Sequence, residues 1–209
     1  MERGRLSVLE GIDGAGKTTQ AELLKAHMEA KGRRVVRTAE PTDLESGREL
    51  RAALCGKLLR SECEMAVMFV ADRIAHNIHP TEGLEAILFS GADVICDRYY
   101  YSTLAYQGQS TDYAWCKAMN LSCPEIRRPD LCIYLDLTPD QSLERIRKGR
   151  ESVELYENKE TLTRVRAAFL SVLEDLSETD RIVRVDAYRT PEEISEEICR
   201  AVDGILESD

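Results

Sequence analysis

Between an apolar run, Leu6-Ser7-Val8-Leu9, and a helix-forming segment lies Glu10-Gly11-Ile12-Asp13-Gly14-Ala15-Gly16-Lys17-Thr18-Thr19-Gln20. Four residues separate Gly11 from Gly16-Lys17-Thr18, the G-x-x-x-x-G-K-[ST] spacing of a Walker A phosphate loop. No other stretch restricts the fold as strongly, because such a loop joins the carboxyl end of a buried strand to the amino end of a helix. The residue types follow from the chemistry. Glycines let phosphate oxygens reach backbone N–H groups, and the helix start adds unpaired donors and a positive dipole end. Lys17 supplies a point charge, and Thr18 offers a hydroxyl to Mg2+. The competing reading is a glycine turn before an ordinary helix; strand, spacing, Lys-Thr pair and helix together weigh against it. Asp13 is not needed to cradle phosphate and requires another task.

A strand followed by a helix recurs along the chain. Apolar runs at Leu6–Leu9, Arg34–Thr38, Asp93–Cys96, Leu131–Leu137 and Arg181–Val185 are separated by helix-length segments. That alternation predicts an α/β fold, a five-stranded parallel sheet flanked by helices in three layers. Ala21, Leu24 and Met28 share one face of the first helix, with Gly32 as its stop. Thr138-Pro139-Asp140-Gln141 and Thr190-Pro191-Glu192-Glu193 each place a cap, a proline at the first helical position and Gln or Glu three residues on. Ile194, Ile198, Val202 and Ile205 form the apolar stripe of the last helix. With 209 residues and no repeat or linker, residues 1–209 read as one domain.

Ligands of parallel sheets bind beyond the carboxyl ends of the strands. The positions to inspect are therefore the phosphate loop, Glu40-Pro41-Thr42, Asp97-Arg98-Tyr99, Leu137-Thr138 and Asp186-Ala187. Asp97 ends an apolar strand where a Walker B acid reaches Mg2+, so Thr18 and Asp97 are the metal candidates. Arg98 could bridge two phosphates by bidentate bonds, useful when the acceptor is itself phosphorylated; a plain Asp97–Arg98 ion pair is the alternative. A net charge of -10 argues against a nucleic-acid polymer or an anionic membrane as partner. Small phosphorylated ligands need only a local cationic cluster, which Arg145, Arg147, Lys148 and Arg150 provide. Seven cysteines without a C-x-x-C pair, and a start without a leader pattern, point to free thiols in a cytoplasmic protein with no zinc site.

Leu9-Glu10-Gly11-Ile12-Asp13, Phe69-Val70-Ala71-Asp72-Arg73 and Asp97-Arg98-Tyr99-Tyr100-Tyr101-Ser102-Thr103-Leu104-Ala105-Tyr106-Gln107-Gly108 closely resemble thymidylate kinases. Arg127-Arg128-Pro129-Asp130-Leu131 and Val185-Asp186-Ala187 extend the resemblance over nearly the whole chain. It implies a P-loop NTPase fold with a lid at about residues 145–158, and transfer of the γ-phosphate of ATP to dTMP with Mg2+. ATP would contact Gly11, Ile12, Asp13, Gly14, Ala15, Gly16, Lys17, Thr18, Thr19, Arg145 and Ala187, with Arg145 on the adenine. The acceptor dTMP would contact Asp13, Arg51, Phe69, Arg73, Arg98, Ser102, Thr103, Tyr106 and Gln107. Lys17, Arg98, Arg150 and, next, Arg147 would be the catalytic cations. A homodimer built on helices around residues 62 to 120 is also implied.

The residues carry parts of this independently. Phe69 and Arg73 lie one helical turn apart, so a ring for the pyrimidine and a guanidinium for its edge share a face; a core Phe and an ion-paired Arg are the alternatives. Asp13 can accept a hydrogen bond from the acceptor's 3'-hydroxyl, or shape the turn. Tyr106 would crowd a ribose 2'-hydroxyl, or hydrogen-bond across the core. The chain also departs from its resemblance. Gly14 stands where some members carry a loop arginine, which moves the catalytic arginine to the lid. Ala39 stands where bacterial members carry the arginine of T-R-E-P, leaving Arg51, or Arg48, to meet the acceptor phosphate. Leu155-Tyr156-Glu157-Asn158 is closer to eukaryotic members. Another nucleotide or nucleoside kinase and a regulatory P-loop switch are the competing functions, and Asn158-Lys159-Glu160-Thr161 lacks the last Asp of a guanine motif.

Overall fold

A computed structural model describes residues 3–149 and 158–207. Five strands form one parallel sheet: β1 (Leu6–Glu10), β2 (Val35–Ala39), β3 (Asp93–Asp97), β4 (Leu131–Asp136) and β5 (Ile182–Asp186), in the order β2-β3-β1-β4-β5. The strands are those expected, but four of them run through a terminal acid. Glu10, Asp97, Asp136 and Asp186 each close a strand. In β1, β3 and β5 the acid lies one residue past the apolar run, whereas β4 ends at Asp136, one residue short of the expected Leu137.

The strand order fixes the site. From β1 the chain passes over β3 to reach β2, whereas from β3 it passes over β1 to reach β4, so the loops leaving β1 and β3 diverge and open a crevice between them. Leu9 pairs with Asp97, which brings the start of the phosphate loop level with the end of β3.

Helices α1 (Lys17–Ala30), α2 (Glu45–Leu54), α3 (Glu62–Ile78), α4 (Leu84–Phe89), α5 (Tyr100–Tyr106), α6 (Tyr113–Leu121), α7 (Pro139–Gly149), α8 (Lys159–Leu176) and α9 (Pro191–Leu206) flank the sheet. Their starts follow local chemistry. Ser61 with Glu64 and Thr190 with Glu193 form reciprocal capping boxes. Gln141 Oε1 accepts the Thr138 N–H at 2.9 Å, the box expected from Thr138-Pro139-Asp140-Gln141. Both expected stripes are buried: Ala21, Leu24 and Met28 on α1, and Ile194, Ile198, Val202 and Ile205 on α9. β4 is buried on both faces from Leu131 to Leu135. No helix among the described residues is long and apolar enough to cross a membrane. The lid expectation for residues 150–157, including Arg150 and Leu155-Tyr156-Glu157, lies outside the described residues, as does the Lys148 side chain.

Candidate active site

The phosphate loop is shaped by three glycines with positive φ: Gly11 (145°), Gly14 (75°) and Gly16 (94°). Gly11 is also sterically required, because a Cβ there would lie 2.7 Å from the Leu135 carbonyl oxygen. Gly16 ends the loop and α1 starts at Lys17, whose Nζ folds back to donate to Gly11 O (3.0 Å) and Ile12 O (3.3 Å). Burial and the neighbouring Arg98 push the Lys17 ammonium down to about 8, against Asp97, Asp13 and Glu10. The Ser142 hydroxyl, on α7, braces the loop from behind by donating to Asp13 O at 2.6 Å.

Thr18 Oγ1 donates to Asp97 Oδ2 at 3.0 Å, so the two metal candidates meet across the crevice. Both offer hard oxygen donors, as Mg2+ requires. Arg98 follows in a left-handed backbone (φ 68°) with its N–H on Leu9 O at 2.9 Å. Its guanidinium donates to Asp13 Oδ1 and, at 3.1 Å, to Ser102 Oγ, and lies 5.6 Å from the centre of the Tyr106 ring. Burial alone works against the Arg98 charge, yet Tyr106, Asp13, Glu10 and Asp97 together hold its pKa above the ordinary arginine value. Burial pushes the Tyr106 phenol up to about 12, and its ring meets Phe169 of α8 edge-on.

A second cluster sits behind this one. Arg73, on α3, is 1% exposed; it donates to Glu40 Oε2 (2.6 Å), Asn120 Oδ1 (2.5 Å) and Thr103 Oγ1 (3.1 Å). Its guanidinium also lies 5.1 Å from the Tyr99 ring centre, while its Nε has no partner among the described residues. Burial opposes the Arg73 charge, and Glu40, Tyr99 and Glu10 together hold its pKa above the ordinary arginine value. His76 Nδ1 bonds Glu40 Oε1 at 3.0 Å and its Nε2 bonds Thr38 Oγ1 at 2.8 Å. Gln107 is buried with its Oε1 unpartnered among the described residues. Asp72 is occupied elsewhere, fastening the chain after β2 through Thr42 and Ser46.

Other expected residues spread further. Phe69 is half-buried against a satellite cluster of Leu50, Ala53 and Met65 between α2 and α3. Arg51 donates to Pro41 O (2.8 Å) and Asp43 Oδ1 (2.9 Å) and Arg48 to Asp43 O (2.6 Å), both away from the lining of the central cleft. Arg145 reaches over the loop, donating to Ala187 O at 2.6 Å and to Ala15 O at 3.4 Å, which joins these two distant positions. Arg147 instead faces a separate groove with Asp140, Glu144 and Lys159. The central cleft, about 580 Å3, is lined by Asp13, Gly14, Lys17, Thr18, Thr19, Ala39, Glu40, Asp97, Arg98 and Arg145.

Glu10, Glu40, His76, Asn120 and Ser142 carry this geometry without having been assigned a role from the sequence. Glu10 and Glu40 had one usable signal: an acid at or just past the end of an apolar strand, where cations converge.

A parallel sheet with a phosphate loop at its switch point and a Walker B acid against the loop threonine defines a P-loop nucleotide-binding protein. The thymidylate kinase family model matches residues 9–198. A probable thymidylate kinase of Pyrococcus horikoshii is 40% identical over 207 residues, covering 96% of each chain, and a thymidylate kinase of Chlorobaculum parvum is 33% identical over 216 residues with the same coverage. One from Leptospira borgpetersenii is 35% identical over 201 residues, 94% of this chain and 92% of its own. The chain belongs to the thymidylate kinase family and is an ATP-dependent nucleoside monophosphate kinase.

Proposed function

We propose how this cleft divides the work of phosphorylating dTMP with ATP. The observation that carries the proposal is the shared lining: the donor's phosphate loop and Thr18–Asp97 pair face the same space as Arg98 and Glu40. ATP lies along the loop, its β- and γ-phosphates on Lys17 and the N–H groups from Asp13 to Thr19, and its adenine against Arg145 beside Ala187. Thr18 and Asp97 hold Mg2+, which supplies charge neutralisation at the transferring phosphoryl group.

The acceptor is bound through its phosphate by Arg98 and Arg51, its sugar by Asp13 and Tyr106, and its base by Phe69 and Arg73 with Ser102, Thr103 and Gln107 near the nucleoside. The unpartnered Arg73 Nε–H and Gln107 Oε1 support base recognition, since buried polar atoms of this kind take a partner when a ligand supplies one. An acceptor phosphate oxygen, already ionised, attacks the γ-phosphorus in line, so no general base is needed. Catalysis rests on alignment and on the charges of Lys17, Arg98 and a lid arginine, Arg150 ahead of Arg147. The chain works in the cytoplasm as a homodimer built on helices around residues 62 to 120.

An ADP-release assay over a panel of nucleoside monophosphates and nucleosides tests the reading. It is expected to give the highest kcat/KM with dTMP, and a preference for dCMP, UMP or thymidine overturns it.

A further inference from the structure

The fully buried carboxylate of Glu10 makes contacts that no phosphate-binding role explains. Its Oε1 accepts the Tyr99 N–H at 2.7 Å and the Ser102 N–H at 3.2 Å, and its Oε2 accepts the Ser102 hydroxyl at 2.6 Å. Tyr99 and Ser102 are the cap and third residues of α5, a helix without a side-chain cap of its own. Glu10 therefore does from β1 what a local capping residue does for other helices: it accepts the N–H groups at the helix start.

Arg98 stands immediately before that capped turn. Among the described residues it is the only non-glycine with a positive φ, a conformation unfavourable for an L-residue unless its surroundings impose it. The imposition is visible on both sides: its own N–H is tied to Leu9 O, and the next N–H, that of Tyr99, is tied to Glu10. The same carboxylate orients the side chain. Because the Ser102 hydroxyl gives its hydrogen to Glu10, its oxygen lone pairs are left for Arg98 Nη1 at 3.1 Å. The direction of the chain Arg98 to Ser102 to Glu10 thus depends on an acceptor at its end.

We propose that Glu10 is the positioning residue for Arg98: it fixes the left-handed backbone through Tyr99 and aims the guanidinium into the phosphate cleft through Ser102. The assignment rests on the reading of Arg98 as the cation that serves the reacting phosphates. A merely structural Glu10 would stabilise the fold without acting through Arg98.

A double-mutant cycle on the full chain separates the two, using Glu10→Gln, Arg98→Ala and their combination, together with a crystal structure of the Glu10→Gln protein. Glutamine keeps the volume and one acceptor oxygen, but its NH2 group donates to one of the two Ser102 lone pairs, so the hydroxyl hydrogen, left without its acceptor, competes with Arg98 for the remaining directions on the oxygen. The expected result is a fall in kcat of about 30-fold for Glu10→Gln alone, less than about 3-fold in the Arg98→Ala background, and a KM for ATP changed less than about 3-fold. In the crystal, Arg98 should leave Ser102. Losses that multiply, or an Arg98 that stays in place, overturn the proposal. Glu10→Asp, whose shorter carboxylate draws back from Ser102, enters the same cycle with the same two outcomes should Glu10→Gln not fold. If the natural chain forms no ADP with dTMP, the kinase reading falls, and the position of Arg98 in the Glu10→Gln crystal still decides the role of Glu10.

Discussion

Replacing Glu40 by Gln isolates one charge in the acceptor half of the site. Glu40 gives Oε2 to Arg73 and Oε1 to His76, whose Nε2 bonds Thr38 Oγ1. In the variant the amide oxygen can keep the Arg73 bond, while the NH2 group donates to His76 Nδ1 once the imidazole carries its proton on Nε2 toward Thr38. Hydrogen bonds and volume are conserved, and the negative charge is lost. The pair is deeply buried, with side-chain exposures of 1% and 3%. Leaving one member of such a pair uncompensated costs about 3–5 kcal/mol, and the Tyr99 face under the guanidinium offsets part of it, so about 3 kcal/mol is expected. For a chain of this length that lowers Tm by about 6–12 °C. The assay is calorimetric unfolding, with dTMP KM measured alongside; KM should rise because a neutral amide holds Arg73 less firmly than the carboxylate does. Removing the orphaned charge as well, in Glu40→Gln/Arg73→Met, should cost less stability than the sum of the single changes. A Tm drop below about 2 °C with unchanged dTMP KM would refute the argument, showing that the Arg73 charge is balanced elsewhere.

Gly11→Ala places a Cβ 2.7 Å from the Leu135 carbonyl at a φ of 145°, and should reduce the urea-unfolding free energy by about 2–4 kcal/mol and abolish ATP binding; an undiminished midpoint would show that β4 yields to it. Burial pushes the Glu10 carboxyl up from 4.5 to about 7, while Ser102, Arg98, the Tyr99 N–H and Lys17 favour its charge. Because the folded-state value is the higher, the stability linked to this group is fully present below about pH 4.5 and is lost as pH rises through about 7, about 3 kcal/mol in all. The unfolding free energy of the natural chain relative to Glu10→Gln should therefore fall between those limits, and a flat difference would mean that Glu10 titrates normally.

How much of this was legible before the fold was known depends on the range of the signal. Strands, caps and the phosphate loop are written in contiguous residues, so Leu6–Leu9, Thr138-Pro139-Asp140-Gln141 and Gly11 to Thr18 could be read directly. The Thr18–Asp97 contact needed one more fact, the order of the strands: β3 beside β1 makes positions 79 residues apart into neighbours. The partners of Arg73 were not legible. Glu40, Asn120 and Thr103 come from the end of β2, from α6 and from α5, and nothing in the spacing of Phe69 and Arg73 on α3 indicates where those elements converge. Arg147 shows the same limit in reverse. It is adjacent in sequence to the cations expected over ATP, but helical rotation turns it toward Asp140 and Lys159 while Arg145 reaches the loop.

The cations of the cleft all have partners within the chain. Arg98 holds Asp13, Arg73 holds Glu40, and Lys17 lies on the carbonyls of its own loop. These partnerships stabilise charges that burial would otherwise make costly, and they keep the side chains in place. They also change what binding means energetically. A phosphate that draws Lys17 off Gly11 and Ile12 exchanges two neutral acceptors for a charged one. An acceptor sugar that engages Asp13 competes with Arg98 for the same carboxylate, releasing guanidinium donors for a phosphate. On the roles proposed above, seating the acceptor sugar and freeing Arg98 for a phosphate would be one step. Arg73 differs: its ion pair with Glu40 is buried, and Nε–H is the donor left for the base contact proposed above. Charge that must follow the moving phosphate is held by an exchangeable partner, and charge that must discriminate a base is held by a fixed one.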